Sequence, residues 1–158
     1  MSDKSVYDKF FEEYQKRKDK CRSRLLQNRD RILQALKNLE ITSVVVSYSG
    51  SGDDGQINDV EFFRGKQLVE IEAEVSVIIG KSKWDPEKST WINYEEEDLC
   101  PFSEAIRDFV YDWIESEYTG WENNDGASGE CMIEVATAEF SLEHITYYTE
   151  SETTRHTL

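Results

Sequence analysis

The sequence predicts an α+β fold. An antiparallel sheet of about five strands, a three-stranded meander plus a C-terminal hairpin, is covered on one face by helices and preceded by a long basic helix. Three observations carry this. Residues 5–39 repeat apolar positions at helical spacing with no Pro or Gly among them. The segment LVEIEAEVSVIIG alternates apolar and polar residues with a strict period of two. The segment after Pro101 carries an apolar stripe at helical spacing. At 158 residues, the chain fits one main domain with a core of its own. It divides into a basic helical arm (1–40), an acidic α+β body (41–150) and a loose tail (151–158).

In the arm, Val6, Phe10 and Tyr14 recur every four residues, and Cys21, Leu25, Ile32, Leu36 and Leu39 continue at spacings of the three- and four-residue type. The run YQKRKDK between them offers nothing apolar to bury, so one helix or two are both open at this point. Next, the β-branched ITSVVVSYS (41–49) and INDVEFFR (57–64) read as two strands joined by a six-residue polar tip, Gly50 to Gly55. Arg64-Gly65-Lys66 is a tighter turn into the alternating segment. There Val69, Ile71, Ala73, Val75, Val77 and Ile79 share one face, and Glu70, Glu72, Glu74 and Ser76 share the other. Residues 80–100 show no clear period and read as a long loop whose Trp84, Trp91 and Tyr94 pack back on the body.

Phe102, Ile106, Phe109, Val110, Trp113 and Ile114 predict a second helix over 101–118, with Gly120 as its stop, covering the apolar face of the sheet. A polar turn-rich segment follows, and then CMIEVAT and FSLEHITYY complete the sheet as a hairpin.

Charge is the informative part of the composition. The formal net charge is −15, yet residues 1–40 hold 11 Lys/Arg against 7 Asp/Glu, while 41–158 hold 7 against 26. An acidic body repels phosphates, so direct nucleic-acid binding is expected only through the N-terminal helix, where Lys16, Arg17, Lys18, Lys20, Arg22 and Arg24 would meet the backbone. The body instead suits a basic protein partner. Glu70, Glu72 and Glu74, joined by Asp59 and Glu61 if Val60 and Phe62 face the core, would form the acidic surface. The same charges fit a homodimer in which each basic arm covers the other copy's acidic sheet.

Chemistry-bearing motifs are scarce. Three cysteines without a CxxC pair argue against a disulfide framework or a cysteine zinc site. No hydrophobic signal core opens the chain and no apolar run reaches the length of a membrane span, so a cytoplasmic protein with no membrane contact is expected. The histidines His144 and His156 belong to no motif with a mechanism, so no catalytic residue is assigned and the balance leans against an enzyme. Two polar loops remain as candidates for a ligand site: Asp53, Asp54 and Gln56 in the first, Trp121, Glu122, Asn123, Asn124 and Asp125 in the second. Their Gly, Asp and Asn content is also what tight turns require. Asp53 and Asp54 disfavour a phosphate, neither loop has EF-hand spacing, and no metal ligand set or cofactor is assigned.

The segments SGSGDDGQI, DFVYDWIESEYTGWENNDGASGE and SLEHITYYTE resemble an uncharacterised domain family of bacteria and their mobile elements, over about residues 44–150. The resemblance implies that the GSGDDGQI and GWENNDG loops are family signatures that converge on one site. It implies no activity. The sequence therefore leads first to a non-enzymatic acidic interaction module, in its sharpest form a phage or plasmid inhibitor imitating nucleic-acid charge. The alternative is a small-ligand or divalent-metal site between the two loops.

Overall fold

The structure, a computed structural model, describes residues 5–52, 54–123 and 125–158. The elements run α1 (Val6–Asn38), β1 (Ser43–Ser51), β2 (Asp54–Arg64), β3 (Gln67–Val69), β4 (Glu74–Asp85), β5 (Thr90–Pro101), α2 (Phe102–Glu117), β6 (Ala127–Glu134) and β7 (Glu139–Thr146). Five strands form one antiparallel sheet in the order β3-β2-β1-β6-β7, so the predicted meander and C-terminal hairpin meet through β1 and β6. β4 and β5 form a separate two-stranded sheet.

The first helix is single and continuous. It starts at Ser5, whose hydroxyl accepts from the Asp8 N–H at 3.2 Å. Its two halves live in different environments. Leu25, Ile32 and Leu36 are buried in the core, whereas every described residue from Ser5 to Ser23 is exposed. Among the described residues no helix is long and apolar enough to cross a membrane.

Two expectations are corrected. The alternating segment is not one strand: β3 ends at Val69, and the chain leaves the large sheet before β4 starts at Glu74. Alternation predicts which side chains share a side, and Ile71 and Ala73 do stay half-buried, but it does not say which strand each piece pairs with. The break has a use, because the carbonyl of Ala73 accepts the first helical N–H of α2, from Phe102, at 2.9 Å. The expected 80–100 loop is instead the far part of β4 and all but the end of β5, paired in register from Glu74↔Pro101 to Asp85↔Thr90. Lys81, Lys83, Trp84, Trp91 and Tyr94 are exposed there, so a ribbon with solvent around it shows no apolar period. Trp84 and Trp91 pair across its tip, edge to face at 5.7 Å.

The ribbon is held by α1. The Asn28 amide donates to the Ile78 carbonyl and its oxygen accepts the Ile78 N–H, both at 2.8 Å, so one side chain takes the place of a neighbouring strand along the β4 edge. Arg31 adds bonds to the Ser76 carbonyl at 3.3 Å and to Glu97 at 2.6 Å. The core itself lies between the helices and one face of the five-stranded sheet, where Val44, Val46, Tyr48, Phe62, Cys131 and Ile133 meet Phe102, Ile106, Val110 and Ile114 of α2.

Candidate functional site

The two polar loops come together at one end of the large sheet. The ladder of β1 and β2 extends to Ser51↔Asp54, so the first loop is a tighter hairpin tip than the six residues expected. Trp121, 5% exposed, lies over this end. A Cβ at Gly50 would stand 2.8 Å from its Cζ3, and one at Gly55 2.6 Å from its Cζ2 and Cη2, so glycine at both positions is what lets the indole lie flat on the strands. Gly126, at φ +81°, brings its backbone against the Gly50 carbonyl.

Convergence divides the candidate residues between two sides. Asp54, Gln56 and Asp125 line an open groove of about 570 Å³ together with Ser49, Ser128 and Tyr147. The Ser128 and Tyr147 hydroxyls are 2.6 Å apart, and Thr149 donates to the Asp125 carboxylate at 2.6 Å. Trp121 packs on the core side instead, its ring 5.4 Å from Tyr48 and 5.9 Å from Tyr111. Glu122 lies with it, its Cβ close over Gly50 and Gly55, and neither residue lines the groove. Asn123 is exposed on the turn, where its N–H donates to the Gly120 carbonyl at 3.0 Å. Asp53 and Asn124 lie outside the described residues.

Beneath Trp121 the polar atoms are less well served. Glu115 Oε2, Glu122 Oε2 and Trp121 Nε1 are buried without a hydrogen-bond partner among the described residues. Burial, and then the charges of Glu122 and Glu115, push the Tyr111 hydroxyl above its ordinary pKa. Nearby, the Tyr48 hydroxyl lies 2.6 Å from His144 Nδ1, and the Tyr118 ring stacks on the imidazole at 3.8 Å. Burial raises the Tyr48 pKa and lowers that of His144, which favours a neutral phenol beside a neutral ring. Sequence reasoning did not assemble this trio, which comes from three distant segments. Among the described residues no group of three or more His, Cys, Asp and Glu side chains is placed to hold a metal ion.

The larger polar feature is the outer face of the five-stranded sheet. Strand register places Asp59 beside Ser47, Ser47 beside Glu130, and Glu130 beside Glu143. Next to this row run Glu61, Val45, Met132 and Ser141, and then Phe63, Ser43, Glu134 and Glu139. Six carboxylates thus share one face on which the described strands place no Lys or Arg. Asp59 and Glu61 were foreseen. Glu130, Glu134, Glu139 and Glu143 were missed, although the same alternation applied to GECMIE and EFSLEHIT finds them. Glu70 and Glu72 fall in the break between β3 and β4, and Glu74 opens the ribbon opposite Pro101, so these three exposed carboxylates do not form a row on the sheet.

The basic residues of α1 are only partly free. Arg22 pairs with Glu117 of α2 at 3.2 Å, and the Arg24 guanidinium packs against Gly80 of the ribbon. Lys16, Arg17, Lys18 and Lys20 are exposed.

Neither a curated protein nor a solved structure matches the chain. One family model does match, over residues 25–158, a span wider than the 44–150 of the sequence resemblance. It begins at Leu25, the first residue of α1 to be buried in the core. By that match the chain belongs to DUF6878, a family of unknown function.

Proposed function

We propose that the protein is a non-enzymatic interaction module whose open sheet face binds a basic protein surface. The observation that carries this reading is the set of six carboxylates, Asp59, Glu61, Glu130, Glu134, Glu139 and Glu143, on one uncovered face without a cation among them. Two of the rows place carboxylates directly opposite each other, Glu130↔Glu143 and Glu134↔Glu139. Such pairs cost the sheet stability, which is offset when a cationic partner covers them. Val45, Met132 and Phe63 within the rows of this face supply apolar contact. A basic nucleic-acid-binding protein has the complementary chemistry, and an inhibitor that imitates nucleic-acid charge is the sharpest form of the proposal.

The test compares two triple variants with the same change in net charge. Asp59→Asn, Glu130→Gln and Glu143→Gln neutralise the face; Glu70→Gln, Glu72→Gln and Glu74→Gln neutralise carboxylates off it. Partners retained from host lysate after nuclease treatment, and protamine as a defined basic probe, are titrated across salt. The face variant is expected to bind roughly tenfold more weakly at low salt and with a flatter salt dependence than the control. Equal losses in both would overturn the reading.

A second reading has its own observation, the groove in which Asp54, Gln56 and Asp125 meet. There the protein would hold a small polar ligand or a divalent cation. Thermal shift with calcium, magnesium and a metabolite panel, absent in an Asp54→Asn, Asp125→Asn variant, would support it; no shift in the native chain would end it.

A further inference from the structure

The exposed half of α1 is amphipathic, and its apolar stripe is in line with the buried one. At about 3.6 residues per turn, Val6, Phe10 and Tyr14 fall on the same side of the helix as Cys21, Leu25, Ile32 and Leu36. The body covers that side from Leu25 onward, whereas Val6 is 86%, Phe10 62% and Tyr14 47% exposed. Tyr7 and Phe11 widen the stripe. Where the stripe approaches the body it forms one wall of a groove of about 650 Å³, with Tyr14, Lys18, Cys21 and Leu25 on the α1 side and Asp112 and Glu117 on the α2 side. One helix thus carries both a projecting apolar ridge and, two to four turns along, one wall of a groove.

The groove itself is balanced in charge, with Arg17, Lys18, Arg22 and Arg24 against Asp19, Asp112, Glu115 and Glu117 and with Arg22 already paired to Glu117, so the two stretches of α1 decide the occupant and its direction. Residues 6–14 hold Asp8, Glu12 and Glu13 against Lys9, whereas 16–24 hold Lys16, Arg17, Lys18, Lys20, Arg22 and Arg24 against Asp19. A second α1 laid parallel would put the basic stretches side by side. Laid antiparallel, it puts the acidic stretch of each helix along the basic stretch of the other.

We propose that the protein forms a homodimer in which the α1 helices pair antiparallel, the Val6–Tyr14 ridge of each copy seated in the α1–α2 groove of the other. Centred between residues 15 and 16, the pairing sets Phe10 against the second copy's Cys21 and Glu13 against its Lys18. The arm then packs on the second copy's arm and leaves both acidic sheet faces open, unlike a dimer in which the arm covers the sheet. The inference does not rest on the proposed function.

The test is sedimentation of the full chain with variants. The native protein is expected to sediment at about twice the 18.4 kDa chain mass at concentrations on the order of 100 μM. A Phe10→Glu, Tyr14→Glu variant alters two side chains that lie on the exposed half of the helix, so helicity and melting should hold while dimer affinity falls roughly thirtyfold or more. Glu13→Lys should weaken the dimer, and Lys18→Glu in the same chain should restore it. Under copper–phenanthroline oxidation, Phe10→Cys should crosslink to the native Cys21 of the other copy, and Cys21→Ser should abolish the link. A monomeric native chain, or a dimer that survives Phe10→Glu and Tyr14→Glu, overturns the proposal. A Cys21–Cys21 link in the native chain overturns the antiparallel register.

Discussion

The two faces of the five-stranded sheet are written in the same strands and obey opposite rules. On the inner face Val44, Val46, Cys131 and Ile133 are completely shielded from solvent, with Tyr48 nearly so. On the outer face, one residue along in each strand, Glu130 stands exposed opposite Glu143 and Glu134 opposite Glu139. The inner face holds the fold together. The outer face works against it, and a surface that opposes its own sheet is better explained by what it meets than by what it supports.

The largest expected effect lies on the inner face. Ile133→Ala removes a fully buried side chain between sheet and helix and should cost about 2–5 kcal/mol, read from urea unfolding at constant m. Its strand neighbour Met132, on the outer face, should change stability by less than about 0.5 kcal/mol when cut to Ala. Similar losses at both positions would erase the distinction between the faces.

An intermediate effect comes from pH. His144 sits on the inner side with its pKa held below the ordinary histidine value by burial. The unfolded chain therefore takes up the proton first. The stability contributed by the neutral ring is fully present above the unfolded pKa and is lost as pH falls through that value toward the folded one. Melting temperature should drop on acidification below about pH 6.5, before ordinary carboxylates titrate, and His144→Asn should drop less over the same interval. Parallel pH profiles would remove His144 from the account.

The smallest effect sharpens the comparison most. Glu143→Lys places a cation opposite Glu130 and should stabilise the sheet by roughly 0.2–1 kcal/mol at low salt, with the gain shrinking as salt rises. The same change should weaken binding of a basic partner. A stabilising substitution that costs binding would identify the outer face as one kept for recognition.

Much of this was legible in the residues. Helical spacing marked both helical regions, leaving open at YQKRKDK whether the first was one helix or two, and the tight turn at Gly65, with φ +62°, sits where Arg64-Gly65-Lys66 placed it. The alternation of 68–80 assigned sides correctly and hid a change of sheet, because side-chain period is local while strand pairing is not. The ribbon was missed since neither of its far faces is buried, yet Asp85 carried a readable sign. Its carboxylate accepts the N–H of Glu87 at 3.0 Å, the turn that an Asp before Pro favours. For the candidate site, Gly and Asp content pointed to the two loops. Trp121 over Gly50 and Gly55, and Gly126 against the Gly50 carbonyl, join them in the fold, and the same geometry puts Trp121 and Asp125 on different sides.

The pairing of Asn28 with both backbone groups of Ile78 bears on the order in which the chain is made. Strand edges with free N–H and C=O groups recruit other chains, and the danger is greatest while folding is incomplete. On the ribosome Asn28 emerges fifty residues before Ile78, so the guard for that edge is synthesised ahead of the edge itself. A helix already formed can close β4 as it appears, and nascent chains then have little time to find one another.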